Sequence, residues 1–76
     1  TLKREVDFLV VWEKQPWLLV EAKSSPEKKL PSLVTFAEAL QVPHRFQVCR
    51  EGGLDYMDRS NGIRTLSADR FLTAFV

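Results

Sequence analysis

REVDFLVVWEKQPWLLVEAKSS, residues 4–25, holds two strongly apolar runs separated by a short polar break. EVDFLVVW (5–12) is rich in β-branched and aromatic residues and predicts a strand. WLLVEAK (17–23) predicts a second strand, with EKQP (13–16) as the turn of a hairpin. Acids interrupt these core-grade runs: Glu5 and Asp7 in the first, Glu21 in the second, with Lys23 just beyond.

Side chains alternate along a strand, so each run has two faces. Glu5, Asp7, Leu9 and Val11 share one face of the first strand, and Val6, Phe8, Val10 and Trp12 the other. In the second strand Trp17, Leu19, Glu21 and Lys23 share a face, opposed by Leu18, Val20 and Ala22. Each strand thus has one wholly apolar face and one that is apolar near the turn and charged at the far end. The charged ends coincide if Asp7 pairs across from Glu21 or Lys23. That register requires an odd-length loop or a bulge near residues 13–16, because a slip of one residue sends Asp7 and Glu21 to opposite faces.

Working outward, SSPEKKLP (24–31) is polar and reads as a loop. PSLVTFAEALQV (31–42) places apolar residues at 33, 36, 37 and 40, one face of a helix that opens with Pro31. HRFQVCR (44–50) predicts a third strand, with Phe46 and Val48 facing one way. Gly52-Gly53 marks a turn, and Asn61-Gly62 marks a tight one. SADRFLTAF (67–75) predicts a last helix with Ser67 as its N-cap and Ala68, Phe71, Leu72 and Phe75 as its buried stripe. The order is β-β-α-β-(short β)-α. About 20 residues join the second strand to the third through a helix, a length that suits a parallel crossover. A small mixed α/β sheet flanked by helices is expected.

The 76 residues make one small domain, and 45% apolar content marks a globular chain. A net charge of +1 neither supports nor excludes a nucleic-acid partner, since the footprint of such a partner is a patch and not a sum. The single Cys49 precludes an internal disulfide, which fits a reducing, cytoplasmic compartment. No apolar run approaches the roughly 20 residues that span a bilayer. No Gly-rich P-loop is present, so nucleotide hydrolysis would belong to another part of a parent protein. The chain starts at Thr1 almost on a strand and is expected to be an excised piece of a longer protein.

Two carboxylates close together repel unless a positive charge sits between them. Asp7 and Glu21, with Glu5 nearby, are candidate ligands of a hard divalent cation, Mg²⁺ or Mn²⁺, which takes one or two carboxylates plus water and phosphate oxygens. Metal-bound water is more acidic and can attack phosphorus. Lys23 beside it can orient that water or steady the charge on the phosphate. The alternative is a solvated hairpin end carrying a cross-strand salt bridge.

Asp7 followed by Glu21-Ala22-Lys23 on a second strand, then a helix and a third strand, resembles the core of the PD-(D/E)XK nuclease superfamily. More narrowly, EVDFLV, WLLVEAKSS, VPHRFQV and LSADRFL resemble the nuclease-like C-terminal domain of bacterial and archaeal AAA-type ATPases. The resemblance covers nearly the whole chain. It implies a restriction-endonuclease-like core and Mg²⁺-dependent endonuclease chemistry on DNA. It implies Asp7 and Glu21 as metal ligands, the Ala22 carbonyl as a third, and Lys23 as the catalytic lysine. Gln47 is a weaker candidate to line the site. The superfamily pattern also has a helix and a strand ahead of the aspartate strand, with a further acid on that helix. The implied partners are DNA and an ATPase domain in the same parent chain. A catalytically inactive relative would instead serve as a DNA- or protein-binding module, or dimerise through an exposed sheet edge.

Ordinary roles are expected for the remaining chemistry-bearing residues. His44 reads as a surface or capping histidine and Cys49 as a small packing residue. Trp12 and Trp17 read as packing partners beside the turn. Lys14, Lys28, Lys29, Arg45 and Arg50 read as solvated charge among interspersed acids.

Overall fold

A computed structural model describes residues 7–74 of the chain. Glu5, Val6 and Phe75, singled out above, lie outside the described residues. The elements are β1 (Phe8–Trp12), β2 (Gln15–Lys23), α1 (Pro31–Leu40), β3 (His44–Cys49), β4 (Asp55–Asp58), β5 (Ile63–Ser67) and α2 (Ala68–Thr73). They form a five-stranded mixed sheet in the order β1-β2-β3-β5-β4. The chain between β3 and α2 supplies two strands, β4 and β5, where the sequence suggests one short strand. The Asn61-Gly62 turn lies between them, and Gly62 sits at φ 73°.

The hairpin turns on two residues, Glu13 at φ 51° and Lys14 at φ 66°. Two successive left-handed residues match the right-handed twist of the flanking strands. The turn is therefore tighter than EKQP suggests, and Gln15 and Pro16 belong to β2. Trp12 pairs with Gln15 and Val11 with Pro16, but Val10 pairs with Leu18. Trp17 is the extra residue of a β-bulge.

The bulge moves one side chain as well as the register. Trp17 does not share the face of Leu19; it packs on the cluster of Leu18, Val20, Leu66 and Phe71 on the opposite side of the sheet. Its ring lies 6.0 Å from that of Trp12, tilted by 45°, and 5.6 Å from the His44 ring, edge to face. The two tryptophans pack on each other as expected, and exposed His44 completes the stack.

β2 is central. It runs antiparallel to β1 and parallel to β3, and β3 runs parallel to β5. The crossover helix α1 covers one face, where Leu19, Leu30, Leu33, Ala37, Val42 and Ile63 form a buried cluster. Leu40, placed on the buried stripe by periodicity, is 41% exposed, and Leu30 and Val42 just outside the helix take up that packing. α2 covers the other face by packing Phe71 edge to face on Phe46 at 5.4 Å. Burying each such aliphatic side chain stabilises the fold by roughly 2 kcal/mol before entropy is set against it. No helix among the described residues is long and apolar enough to cross a membrane.

Candidate functional site

The bulge at Trp17 sets the register of the hairpin. Beyond it the ladder runs Val10–Leu18, Leu9–Leu19 and Phe8–Val20. The paired residues end at Phe8, and Leu19, Glu21 and Lys23 share one face of β2.

Asp7 is exposed and bound to β2 at two points. Its N–H donates to the Val20 carbonyl at 2.9 Å, and its Oδ2 accepts the Ala22 N–H at 2.6 Å. The two bonds bracket Glu21. A carboxylate oxygen here takes the place of a strand carbonyl, which ends the hairpin ladder on a charge.

Glu21 is 2% exposed, a burial that carboxylates rarely show without a cationic partner. The Lys23 ammonium stands 3.1 Å from Glu21 Oε2 and 3.5 Å from Glu27 Oε1. Lys23 thus lies between a buried carboxylate and one at the surface. Its placement with Glu21 on one face agrees with strand alternation. Glu27, four residues on, comes from the loop that leads into α1.

Gln47 explains how that loop is held. It is the β3 partner of Glu21 in the parallel ladder and is 1% exposed. Its Oε1 accepts the Glu27 N–H at 2.8 Å, and its Nε2 donates to the Glu27 carbonyl at 3.2 Å and to Thr65 Oγ1 at 2.9 Å. The amide therefore pairs with one residue's backbone as a neighbouring strand would. Thr65 is the β5 partner of Gln47. The result is a polar row, Glu21–Gln47–Thr65, laid across three strands beneath the 24–30 loop, just past the apolar cover of α1.

Sequence reasoning did not single out Glu27 or Thr65. The spacing of Glu27 from Lys23 is visible, but its anchoring depends on the register between β2 and β3. Among the described residues, no group of three or more His, Cys, Asp or Glu side chains converges as an ion-binding cluster. Asp7 and Glu21 with the Ala22 carbonyl remain as hard oxygen donors at one end of the hairpin.

Two depressions adjoin this row. One of about 370 Å³ opens at the carboxyl ends of β2 and β3, lined by Lys23, Ser24, Cys49 and Arg50. In open α/β sheets, that end of parallel strands is where ligands bind. The other, of about 400 Å³, is lined by Glu27, Gln47, Thr65 and Tyr56, with Lys28 and Arg59. Arg45 is engaged elsewhere, donating to the Asn61 carbonyl at 2.9 Å. Lys14 lies in the turn at the opposite end of the hairpin. Cys49 is a buried free thiol, and burial pushes its pKa up, with the carboxylates of Glu51 and Glu27 adding to the effect. A raised value disfavours the thiolate and any nucleophilic use of this cysteine.

Comparisons of the chain with family models, with curated proteins and with solved structures found no match.

Proposed function

We propose that this chain is a PD-(D/E)XK nuclease-like domain of the kind attached to AAA-type ATPases, and that its chemistry is metal-dependent hydrolysis of DNA phosphodiesters. The observation that carries the reading is the bond from the Ala22 N–H to Asp7 Oδ2, which sets the Asp7 carboxylate against the Glu21-Ala22-Lys23 stretch of β2. The crossover helix and parallel third strand that follow agree with a restriction-endonuclease-like core.

The donor chemistry fits a hard divalent cation. Asp7, Glu21 and the Ala22 carbonyl would hold Mg²⁺ or Mn²⁺, with water and phosphate oxygens completing the shell. Such an ion, when bound, acidifies water and neutralises phosphate charge. Lys23, already fixed beside Glu21, would orient the attacking water and stabilise charge on the phosphate. Gln47, bonded to Thr65, holds the loop that borders Lys23.

The test is cleavage of plasmid and oligonucleotide DNA with Mg²⁺ or Mn²⁺, comparing the wild-type chain with Asp7→Asn. Asparagine keeps an acceptor for the Ala22 N–H while removing the charge. Metal-dependent cutting lost in Asp7→Asn supports the reading. Equal cutting by both chains would sink it.

A second reading is a catalytically inactive relative that docks DNA or protein for an attached ATPase. One observation favours it: each member of the trio already has a structural task. Asp7 caps the ladder at Ala22, while Lys23 neutralises buried Glu21 and reaches Glu27. DNA binding without cleavage, unaffected by Asp7→Asn, is the outcome this reading expects.

A further inference from the structure

We propose that β1 is a self-association edge, through which two copies of this chain pair antiparallel and join their sheets. The inference does not depend on the nuclease reading. Among the described residues β1 pairs with β2 alone and stands at the end of the strand order. A strand so placed presents a row of backbone donors and acceptors that another strand can satisfy. Its sequence, Phe8-Leu9-Val10-Val11-Trp12, has no charge, proline or glycine to discourage pairing. Phe8, Leu9, Val11 and Trp12 are 46%, 38%, 55% and 62% exposed, so both faces of the edge are apolar and open.

The opposite edge is built differently. β4 carries Asp55 and Asp58 at its ends, and self-pairing there would crowd acids of both copies together. Pairing β1 of one copy with β4 of another would set those acids against apolar side chains. Acid on an edge strand is a common guard against such pairing, and β1 lacks it.

The occupant that fits β1 is therefore β1 itself. With the two-fold axis at Val10 and perpendicular to the sheet, Phe8 faces Trp12 of the other copy and Leu9 faces Val11. Every paired position within β1 is apolar on apolar, and Asp7 of one copy and Glu13 of the other flank the pairing at its two open ends, whereas in β4 the acids would fall within the pairing itself. The same axis keeps the α1 faces of both copies on one side. Five paired residues make a small interface, so association is weak and depends on concentration.

Sedimentation equilibrium of the 76-residue chain over a wide concentration range tests this. A monomer–dimer equilibrium is expected. Val11→Lys should weaken it by roughly ten-fold or more, because a desolvated ammonium would sit in an apolar pairing. Met57→Lys, on β4, should leave it unchanged. Far-UV circular dichroism confirms that each variant folds, and Trp12→Lys gives a second probe of the same edge if Val11→Lys does not. A chain monomeric at every concentration overturns the proposal. So does a dimer that survives both β1 lysines or is lost on Met57→Lys.

Discussion

Asp7 Oδ2 accepts the Ala22 N–H at 2.6 Å, so a carboxylate occupies the position where a strand carbonyl would close the ladder. The contact places the charge of Asp7 beside the backbone that follows Glu21. It also means that Asp7 can be altered in two separable ways. Asp7→Asn keeps the acceptor and should leave stability near wild type. Asp7→Ala removes the acceptor and should cost about 1 kcal/mol. Urea unfolding of the two variants at pH 7 measures the difference.

Breaking the buried pair should be far more costly. Lys23→Met removes an ammonium 3.1 Å from the 2%-exposed Glu21 carboxylate. The expected loss is about 3 kcal/mol, because a buried charge loses its counter-ion. The double variant Glu21→Leu with Lys23→Met should recover much of that loss, since an apolar pair needs no compensation. A double variant no more stable than Lys23→Met alone would show that the pair is not the cause.

Gln47→Ala should free the 24–30 loop while leaving the sheet intact. The amide's bonds to both backbone groups of Glu27, and to Thr65, are lost together. A cost of about 2 kcal/mol is expected, with water taking up part of the lost bonding. Amide hydrogen exchange should accelerate at Glu27 and not at Phe46. Equal acceleration at both would mean that the whole sheet opens.

The turn offers a gain. Glu13 and Lys14 both occupy left-handed backbone, at φ 51° and 66°. Replacing them with Asn-Gly should stabilise the hairpin by about 1 kcal/mol, since these residues accept that conformation readily. An unchanged thermal midpoint would argue against strain at this turn.

Acid sensitivity should trace in part to Asp58. The Ser60 hydroxyl and N–H both bond Asp58 Oδ1, at 2.6 and 2.9 Å, and hold its carboxyl below the ordinary 3.8. A lowered folded-state value gives stability that is present above the unfolded value and lost as pH falls through the folded one. Ser60→Ala should raise the Asp58 value, read by NMR titration, and flatten the loss of stability below pH 3.8. Cys49 acts with the opposite sign at the alkaline end. Its raised value gives stability that is present below 9.0 and lost as pH rises through the folded value.

The helices and most strands were legible because their signals are local. Alternation in β1 and β2, Pro31 at a helix start and Ser67 before α2 each follow from neighbouring residues. The sequence set a condition for Asp7 to meet Glu21, an odd loop or a bulge. The bulge falls at Trp17, and no local signal in Gln15-Pro16-Trp17-Leu18 distinguishes a bulged tryptophan from a regular one. It packs on a cluster that includes Leu66 and Phe71, residues some 50 positions away along the chain. β4 was not read as a separate strand because DYMD has two acids in four residues and becomes a strand only against β5. Glu27 escaped notice for a related reason, since Gln47 anchors it from a different strand.

The central claim is that Asp7 and Glu21 form one cation site, and Mn²⁺ titration tests it most directly. Calorimetry and paramagnetic broadening would be followed on the wild-type chain and on Asp7→Asn. The account predicts saturable binding with broadening centred on residues 7 and 20–23, abolished in Asp7→Asn. A folded wild-type chain that binds no Mn²⁺, or an Asp7→Asn chain that binds it equally well, would contradict the account.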